Sequence, residues 1–238
     1  MSPLHRVLER IRAVAARARG LPVTVFDLDS TLFSTQERNW AILREFVAER
    51  AAERAELAQV VERIRFEEMG WNVMDDLRRR GFRDSRTLKE LRVFWFRRFF
   101  QSRYLHHDVP VPGAREYVRE AHDAGALVYY LTGRDEPNMG DGTRASLRTH
   151  DFPLDGERAI LRLKPRFDDQ DLAFKRSVVG ELRALGEVVA AFENEPANAN
   201  LFAEEFPAAE VIFVDTVCSP DPPPLAPRVV RVKDFRRS

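Results

Sequence analysis

The sequence has little cysteine, no net charge and no long apolar run. Each of these features argues against particular classes of protein. Cys218 is the only cysteine among 238 residues, so an internal disulfide is excluded and a reducing, cytoplasmic location is expected. The 38 basic and 38 acidic residues cancel, which leaves no overall charge to attract nucleic acid or a membrane surface. Membrane helices need about 20 apolar residues in succession, and no such run occurs. These shortages argue against membranes and nucleic acid as partners.

The first 20 residues are rich in arginine, as both transit peptides and amphipathic helices are. Ser2 and Pro3 form a helix start signal, and Gly20 is a stop signal. Between them the apolar residues recur on one face, at Leu4, Val7, Leu8, Ile11 and Val14. This spacing favours a surface helix over a transit peptide.

Short apolar runs alternate with amphipathic segments over most of the chain. The runs are typical of buried strands and cover 23–28, 126–132, 187–192 and 210–215, with 159–163 as a weaker one. Helical patterns occupy 113–125, 171–186 and 198–206. This alternation predicts an α/β fold, a Rossmann-like parallel sheet with helices on both faces.

Residues 34–110 interrupt the alternation and show no strand pattern. A capping-box pattern at Ser34 predicts a long helix to about Glu68, and residues 71–81 predict a short one. A second capping box at Thr87 predicts a third helix to about Tyr104. We therefore predict a core domain formed by 1–33 and 111–238, with a small all-helical insertion over 34–110.

The insertion contains a basic segment, residues 78–103, with ten basic residues and two acidic ones. One interpretation is a surface that attracts anions. The other is that these side chains face water or the acidic side chains of the first helix of the insertion, and we favour that interpretation.

Two carboxylates follow the first predicted strand, in the stretch TVFDLDSTLF. Side chains two residues apart in extended chain point the same way, so Asp27 and Asp29 are predicted to enter one crevice. In open α/β sheets ligands bind beyond the carboxyl ends of the strands. Two carboxylates there would repel each other, and a divalent cation with a preference for oxygen ligands, such as Mg²⁺, would remove the repulsion.

Four stretches together resemble the motifs of the haloacid dehalogenase (HAD) superfamily of phosphohydrolases. They are FDLDSTL with Asp27 and Asp29, YYLTGR with Thr132, AFKRSVVGEL with Lys175, and AFENEPANAN with Asn194. The resemblance covers 21–33 and about 111–216. The insertion lies where that family has a helical cap domain, so 34–110 is interpreted as a cap.

The resemblance implies a role for each matched residue. Asp27 would attack phosphorus to give an aspartyl-phosphate, and Asp29 would protonate the leaving oxygen and then activate water. Lys175 would neutralise charge on the nucleophile and on the phosphoryl group. The phosphate-binding set would be Ser30, Thr132, Gly133, Arg134 and Lys175. Mg²⁺ would be held by Asp27, Asp29, Asn194 and Glu193.

Two parts of this assignment leave alternatives open. Lys164 is a rival for the lysine role, although Lys175 fits the order of the motifs better. The fourth motif reads Glu193, Asn194, Glu195 where the family usually has aspartates, so any of the three could be the metal ligand.

The expected function is a Mg²⁺-dependent phosphomonoesterase that acts on a phosphorylated small molecule. One alternative is a catalytically weak module that binds a phosphorylated ligand or partner. Another is a phosphatase acting on nucleotide or nucleic-acid phosphate ends through the basic segment.

Overall fold

The computed structural model describes residues 1–17, 20–49 and 51–237, and within them six strands form one parallel sheet. The strands lie in the order β5-β4-β1-β6-β7-β8, which places β1 in the interior of the sheet. Their bounds are β1 Pro22–Phe26, β4 Leu127–Asp135, β5 Ala159–Lys164, β6 Glu187–Glu193, β7 Glu210–Val214 and β8 Val230–Val232. Parallel pairing brings the carboxyl ends of β4, β1 and β6 together at one edge of the sheet.

Helices cover both faces of this sheet. Alternate residues of β1 point to opposite faces, so Phe26 joins one apolar cluster whereas Val23 and Val25 join the other. The first cluster is completed by α1 Pro3–Ala15, α6 Ala114–Asp123 and α7 Glu136–Thr149, and the second by α8 Asp171–Ser177, α9 Val179–Leu185 and α10 Pro196–Glu205. The predicted α/β, Rossmann-like fold is confirmed.

The strand predictions match the structure to within a few residues, whereas several helix predictions differ from it. The helix predicted over 171–186 is two helices, α8 and α9. The sequence pattern missed α7, because its first half contains a proline and two glycines. The Asp135 side chain caps α7, and a Cβ at Gly142 would lie 2.5 Å from the backbone oxygen of Ser102. Glycine therefore permits close packing here at the expense of helix propensity.

The N-terminal helix forms as predicted, with the Ser2 side chain accepting from the His5 N–H and the whole apolar stripe buried. It ends at Ala15, so the prediction that Gly20 ends the helix placed the end too late. None of the helices in the described ranges is long and apolar enough to cross a membrane.

The insertion starts and ends at a small antiparallel pair, β2 Phe33–Ser34 with β3 Val109–Pro110, which the sequence did not predict. Between these strands lie α2 Gln36–Glu49, α3 Ala55–Val61, α4 Val73–Arg79 and α5 Ser85–Phe99, with 3₁₀ turns at Phe66–Glu68 and Ser102–His107. The single helix predicted to Glu68 is therefore wrong. The N-cap of α5 is Asp84 rather than Thr87, since its carboxylate accepts from the Arg86 and Thr87 N–H groups.

The helices of the insertion share an apolar cluster that is separate from the two clusters on the sheet. It is built from Leu43, Phe46, Leu57, Val61, Ile64, Met69, Val73, Met74, Leu77, Phe82, Leu88 and Leu91. This small core packs the helices of the insertion against one another.

Candidate active site

The carboxyl ends of three neighbouring strands bring together residues that are far apart in the sequence. Asp27 directly follows β1, and its backbone N–H donates to the Phe192 carbonyl on β6 at 3.0 Å. Thr132 is on β4 and Glu193 is the last residue of β6. The Asp27 side chain is buried but lines a cavity beneath the insertion, together with Thr132 and Gly133.

Lys175 reaches this edge from α8 and is surrounded by carboxylates. Its Nζ lies 2.8 Å from Asp27 Oδ1, donates to Glu193 Oε1, and is 3.7 Å from Asp171 Oδ2. The rival, Lys164, instead donates to the carbonyls of Phe167 and Asp169. The ammonium group beside Asp27 is therefore that of Lys175.

The charge cluster around Lys175 is rich in negative charge and shifts the pKa values of its members. Burial raises the pKa of Asp27 to about 6, against the opposing effect of Lys175. Burial likewise raises the pKa of Glu193 well above its usual range. Burial opposes the charge on Lys175, but the carboxylates of Asp171, Asp27 and Glu193 raise its pKa well above the ordinary value. One lysine thus contacts two buried carboxylates, those of Asp27 and Glu193, and a third that is partly exposed, that of Asp171.

The second oxygen of Asp27 faces Asn194 across a hydroxyl group. Thr31 Oγ1 lies 3.0 Å from Asp27 Oδ2 and 3.0 Å from Asn194 Oδ1, and its one proton can serve only one of them. The Asn194 amide donates to the Val217 carbonyl, which turns the amide oxygen toward Asp27. A carboxylate and an amide oxygen are ligands of the kind that Mg²⁺ binds, so this pair fits the predicted metal.

The other predicted metal ligands point elsewhere. Glu193 faces Lys175, and the Glu195 carboxylate accepts from the N–H and the hydroxyl of Ser219. Within the described ranges, no group of three His, Cys, Asp or Glu side chains is arranged to hold a metal. A bound cation would therefore depend on Asp27 as its charged side-chain ligand.

The Asp29 carboxylate is held by two arginines. Arg38 Nη2 lies 2.6 Å from Asp29 Oδ1, while Arg134 contacts both carboxylate oxygens, at 2.7 and 3.0 Å. Both guanidinium groups also donate to the fully buried Asp108. Burial opposes ionisation of Asp29, but Arg134 and Arg38 lower its pKa well below the usual range. Asp29 is therefore held as a carboxylate.

The predicted phosphate-binding residues divide into two groups. Ser30, Thr132 and Gly133 line the cavity, and Ser30 has a left-handed backbone (φ 59°). A strained backbone of this kind at a residue other than glycine is typical of functional sites. Arg134 is instead buried against Asp29 and Asp108 and does not line the cavity.

Several solved structures share this architecture at low sequence identity. A protein from Clostridium difficile assigned as a phosphatase is 13% identical with a TM-score of 0.55, over 89% of this chain and 94% of that one. The Mycobacterium tuberculosis protein tyrosine kinase A is 16% identical with a TM-score of 0.55, over 88% and 92%. A haloacid dehalogenase-like hydrolase from Streptococcus pneumoniae is 12% identical with a TM-score of 0.53, over 90% and 94%. Neither a family model nor a curated protein sequence matches the chain.

The chain has the fold of the HAD-like hydrolases. The fold expected from the four motifs is thereby confirmed. At 12–16% identity the likeness concerns the fold, so the reaction has to follow from the residues at the strand ends.

Three residues of the site were missed by the sequence motifs: Arg38, Asp108 and Asp171. Arg38 and Asp108 lie in the insertion and belong to no motif, so no local signal marks them. Asp171 is four residues before Lys175 on α8, a spacing that places both on one helix face and could have revealed it. Among the described residues the buried Asp171 Oδ1 atom has no hydrogen-bond partner, and a Cβ at Gly133 would lie 2.4 Å from it.

The insertion closes the site from above and leaves a cavity of about 870 Å³. Some residues of the basic segment pair with acidic side chains, and others line the cavity, where they could attract an anion. Arg98 pairs with Glu45 and Glu49 on α2, as the favoured interpretation predicts. The side chains of the insertion that line the cavity are aromatic, aliphatic, polar and basic: Thr35, Trp71, Asn72, Val73, Met74, Arg78, Arg83, Ser85, Leu88, Lys89, Arg92, Trp95, Phe96, Phe99 and Phe100.

Proposed function

We propose that the chain is a Mg²⁺-dependent phosphomonoesterase that acts on a phosphorylated small molecule through an aspartyl-phosphate. The observation that carries this proposal is the Asp27 carboxylate, which is buried at the end of β1 with one oxygen on Lys175 and the other facing Asn194. A carboxylate in a cavity, with a fixed cation on one side and hard oxygen donors on the other, suits attack on a dianionic phosphoryl group.

In the first step Asp27 Oδ1 would attack phosphorus, and the ester P–O bond would break as the leaving oxygen takes the electron pair. The Lys175 ammonium, 2.8 Å from Oδ1, would offset the charge on the attacking and transferred groups. Thr132 and Gly133, at the end of the cavity near Asp27, would bind a phosphoryl oxygen. Asp27 Oδ2 and Asn194 Oδ1, with the Asp29 backbone carbonyl, would hold Mg²⁺, which supplies further positive charge to the phosphoryl group when it is bound.

In the second step water would attack phosphorus and release Asp27, with Asp29 accepting the proton of the water. The two arginines hold Asp29 ionised, so its carboxylate is free of a proton and can accept one, while their charge makes it a weak base. Donation of a proton in the first step requires Asp29 to be protonated first, against the charge of Arg38 and Arg134. Esters of acidic alcohols, whose leaving oxygen needs little help from an acid, are therefore expected to react fastest.

The test is hydrolysis of p-nitrophenyl phosphate with and without Mg²⁺, by the native chain and by Asp27→Asn. We expect Mg²⁺-dependent turnover that falls at least about a thousandfold in Asp27→Asn, because that variant lacks the nucleophile. The matched control is Asp123→Asn, the same substitution at an exposed position on α6. Turnover that survives in Asp27→Asn would contradict the proposal.

A second candidate is a module that binds a phosphorylated ligand without turnover. The observation that favours it is the engagement of both Asp29 oxygens by Arg38 and Arg134, which leaves the acid ionised and unable to protonate a leaving group. If no phosphate ester is hydrolysed, calorimetry with Mg²⁺ decides. Mg²⁺ binding that Asp27→Asn abolishes would point to an enzyme with a selective cap, whereas absence of Mg²⁺ binding would favour the module.

A further inference from the structure

The cavity is bordered along its length by one face of α5. The residues of this helix that line the cavity recur at the three- and four-residue spacing of a single helical face: Ser85, Leu88, Lys89, Arg92, Trp95, Phe96, Phe99 and Phe100. We call these eight residues the wall. Because a helix rises about 1.5 Å per residue, the wall measures about 20 Å from end to end.

The C-terminal end of the wall adjoins the reacting groups. The Arg38 guanidinium lies 4.3 Å from the centre of the Phe99 ring and donates to the Phe99 carbonyl at 3.2 Å. The same guanidinium group holds Asp29. Phe99 therefore marks the end of the wall that is nearest to a phosphoryl group on Asp27.

The C-terminal half of the wall is aromatic. The Trp95 ring stacks on Phe99 with centroids 4.5 Å apart, and Phe96 contacts Phe100 edge-on at 5.3 Å. Phe167, in the loop after β5, contacts both Phe96 and Phe100 from the core domain. Trp71 and Phe96 are half exposed, at 51% and 50%, although both border the cavity. Exposed rings in a concave site are available for an apolar or aromatic ligand.

The N-terminal half of the wall contains two cations, Lys89 and Arg92. Arg92 is seven residues and Lys89 ten residues from Phe99, which corresponds to about 10 and 15 Å along the helix axis. In the described part of the chain neither Lys89 nor Arg92 forms an ion pair, whereas Arg86 and Arg98 on the same helix pair with glutamates. Outward from Asp27, the cavity therefore contains a phosphoryl site, then a run of aromatic rings, and then the two cations Arg92 and Lys89.

We propose that the substrate is an elongated phosphomonoester with a flat apolar or aromatic middle and a second anionic group about 10–15 Å from the phosphate. This inference rests on the proposed phosphatase function, whose site supplies one end of the ligand. The aromatic rings of the wall bind the middle of the ligand, and Arg92 and Lys89 bind its second anion.

Binding is tested with a matched pair of inert analogues, 4′-carboxybiphenyl-4-yl phosphonate and biphenyl-4-yl phosphonate, by titration calorimetry with Mg²⁺ present. Two para-linked rings place the carboxylate about 10 Å from phosphorus, which matches the helix length from Phe99 to Arg92. The native chain is expected to bind the carboxylated analogue about tenfold more tightly, the gain typical of charge-assisted hydrogen bonds to a ligand carboxylate.

The variants separate the distal cations from the total charge of the helix. The double variant Lys89→Gln with Arg92→Gln is expected to lose the tenfold preference. Arg97→Gln on the same helix, exposed and outside the cavity, is expected to keep the preference and the turnover of p-nitrophenyl phosphate. Equal affinity of the native chain for both analogues would overturn the inference, and so would loss of the preference in Arg97→Gln.

Turnover of the two corresponding biphenylyl phosphates separates this inference from the proposed function. Failure to hydrolyse either phosphate, with the preference among the phosphonates intact, would contradict the phosphatase and support the ligand class. Hydrolysis of both phosphates at equal kcat/KM, together with equal binding of the phosphonates, would support the phosphatase and contradict the ligand class.

Discussion

The two sides of the cavity satisfy their charges in opposite ways. On the side formed by the strand ends, which we call the floor, Asp27, Lys175 and Glu193 are buried and bonded to one another. On the wall, Lys89 and Arg92 are exposed, and among the described residues they have no acidic partner. A floor that is satisfied within the protein keeps its geometry whatever ligand is present. The unpaired charges and exposed rings of the wall are available to a ligand. The wall is therefore suited to selecting the substrate, whereas the floor is suited to the reaction.

The floor and the wall therefore predict different costs for the same substitution. Lys175→Met would leave the buried carboxylates of Asp27 and Glu193 without a cation, which should destabilise the fold by about 3–5 kcal/mol at pH 7.5. The loss should be smaller at pH 5, because Asp27 and Glu193, whose pKa values are raised, then take up protons. Urea unfolding at the two pH values measures both effects.

Lys89→Met is the matched control, since it makes the same change on the exposed wall. We expect its free energy of unfolding to lie within about 0.5 kcal/mol of the native value. Similar losses for both variants would show that the charges of the floor and the wall are equally coupled to folding, and the comparison would fail.

The second test uses a glycine of the floor. Gly133→Ala would place a Cβ 2.4 Å from Asp171 Oδ1, so the α8 side chain or the β4 backbone has to move, at a cost of about 1–3 kcal/mol. The control is Gly180→Ala on α9, where nothing lies near an added Cβ and a gain of about 0.5 kcal/mol is expected. Combining Gly133→Ala with Asp171→Ala removes the close contact. If the double variant loses as much stability as the two single variants together, the close contact is ruled out as the cause of the loss in Gly133→Ala.

The third test concerns the Asp27 carboxylate of the floor. Its ionisation in a buried site is expected to lower the stability of the fold. The pKa of Asp27 is raised from 3.8 to about 6, so the folded state binds more protons than the unfolded state between these values. Stability attributable to Asp27 is therefore lost as the pH rises through this window. Without Mg²⁺, Asp27→Asn should be more stable than the native chain by roughly 1–2 kcal/mol at pH 7.5, with the difference gone near pH 4.

Thermal unfolding across pH 4–8 measures this difference, with Asp123→Asn as the control that should show no such trend. Added Mg²⁺ should stabilise the native chain and leave Asp27→Asn unchanged, since the variant lacks the charged ligand. A variant that is less stable than the native chain at pH 7.5 would show that the Asp27–Lys175 contact outweighs the cost of burying the carboxylate.

The sequence predicted the floor better than the wall, for a physical reason. Asp27, Thr132 and Lys175 each sit at the end of a strand or on the helix before one, and the order of strands in a parallel sheet determines where these ends meet. Their neighbours therefore follow from topology. The short pattern Thr-Gly likewise reflects a close approach that only a glycine allows.

The arginines of the site could not be assigned in this way. Arg134 was predicted to bind phosphate, but it lies against Asp29 and Asp108, because its guanidinium group is buried with two carboxylates within reach. Arg38 reaches the same carboxylates from α2, and Asp108 itself lies in the chain just before β3. These contacts depend on how the insertion is placed over the sheet, which helix periodicity does not encode.

The smallest expected effect on stability belongs to the wall. Phe96 is 50% exposed and its ring meets Phe100 and Phe167 only edge-on, so Phe96→Ala should change the free energy of unfolding by no more than about 1 kcal/mol. Phe46→Ala, in the apolar cluster of the insertion, should cost about 3–5 kcal/mol and serves as the control for stability.

The effect of Phe96→Ala should appear in binding instead, since the ring lies one helical turn beyond Phe99. We expect KM to rise several-fold for biphenyl-4-yl phosphate, and by a smaller factor for the shorter p-nitrophenyl phosphate, because only the longer molecule extends past Phe99. Equal rises in KM for the two esters would mean that Phe96 shapes the whole cavity, and a large loss of stability would mean that the wall is part of the structural core after all.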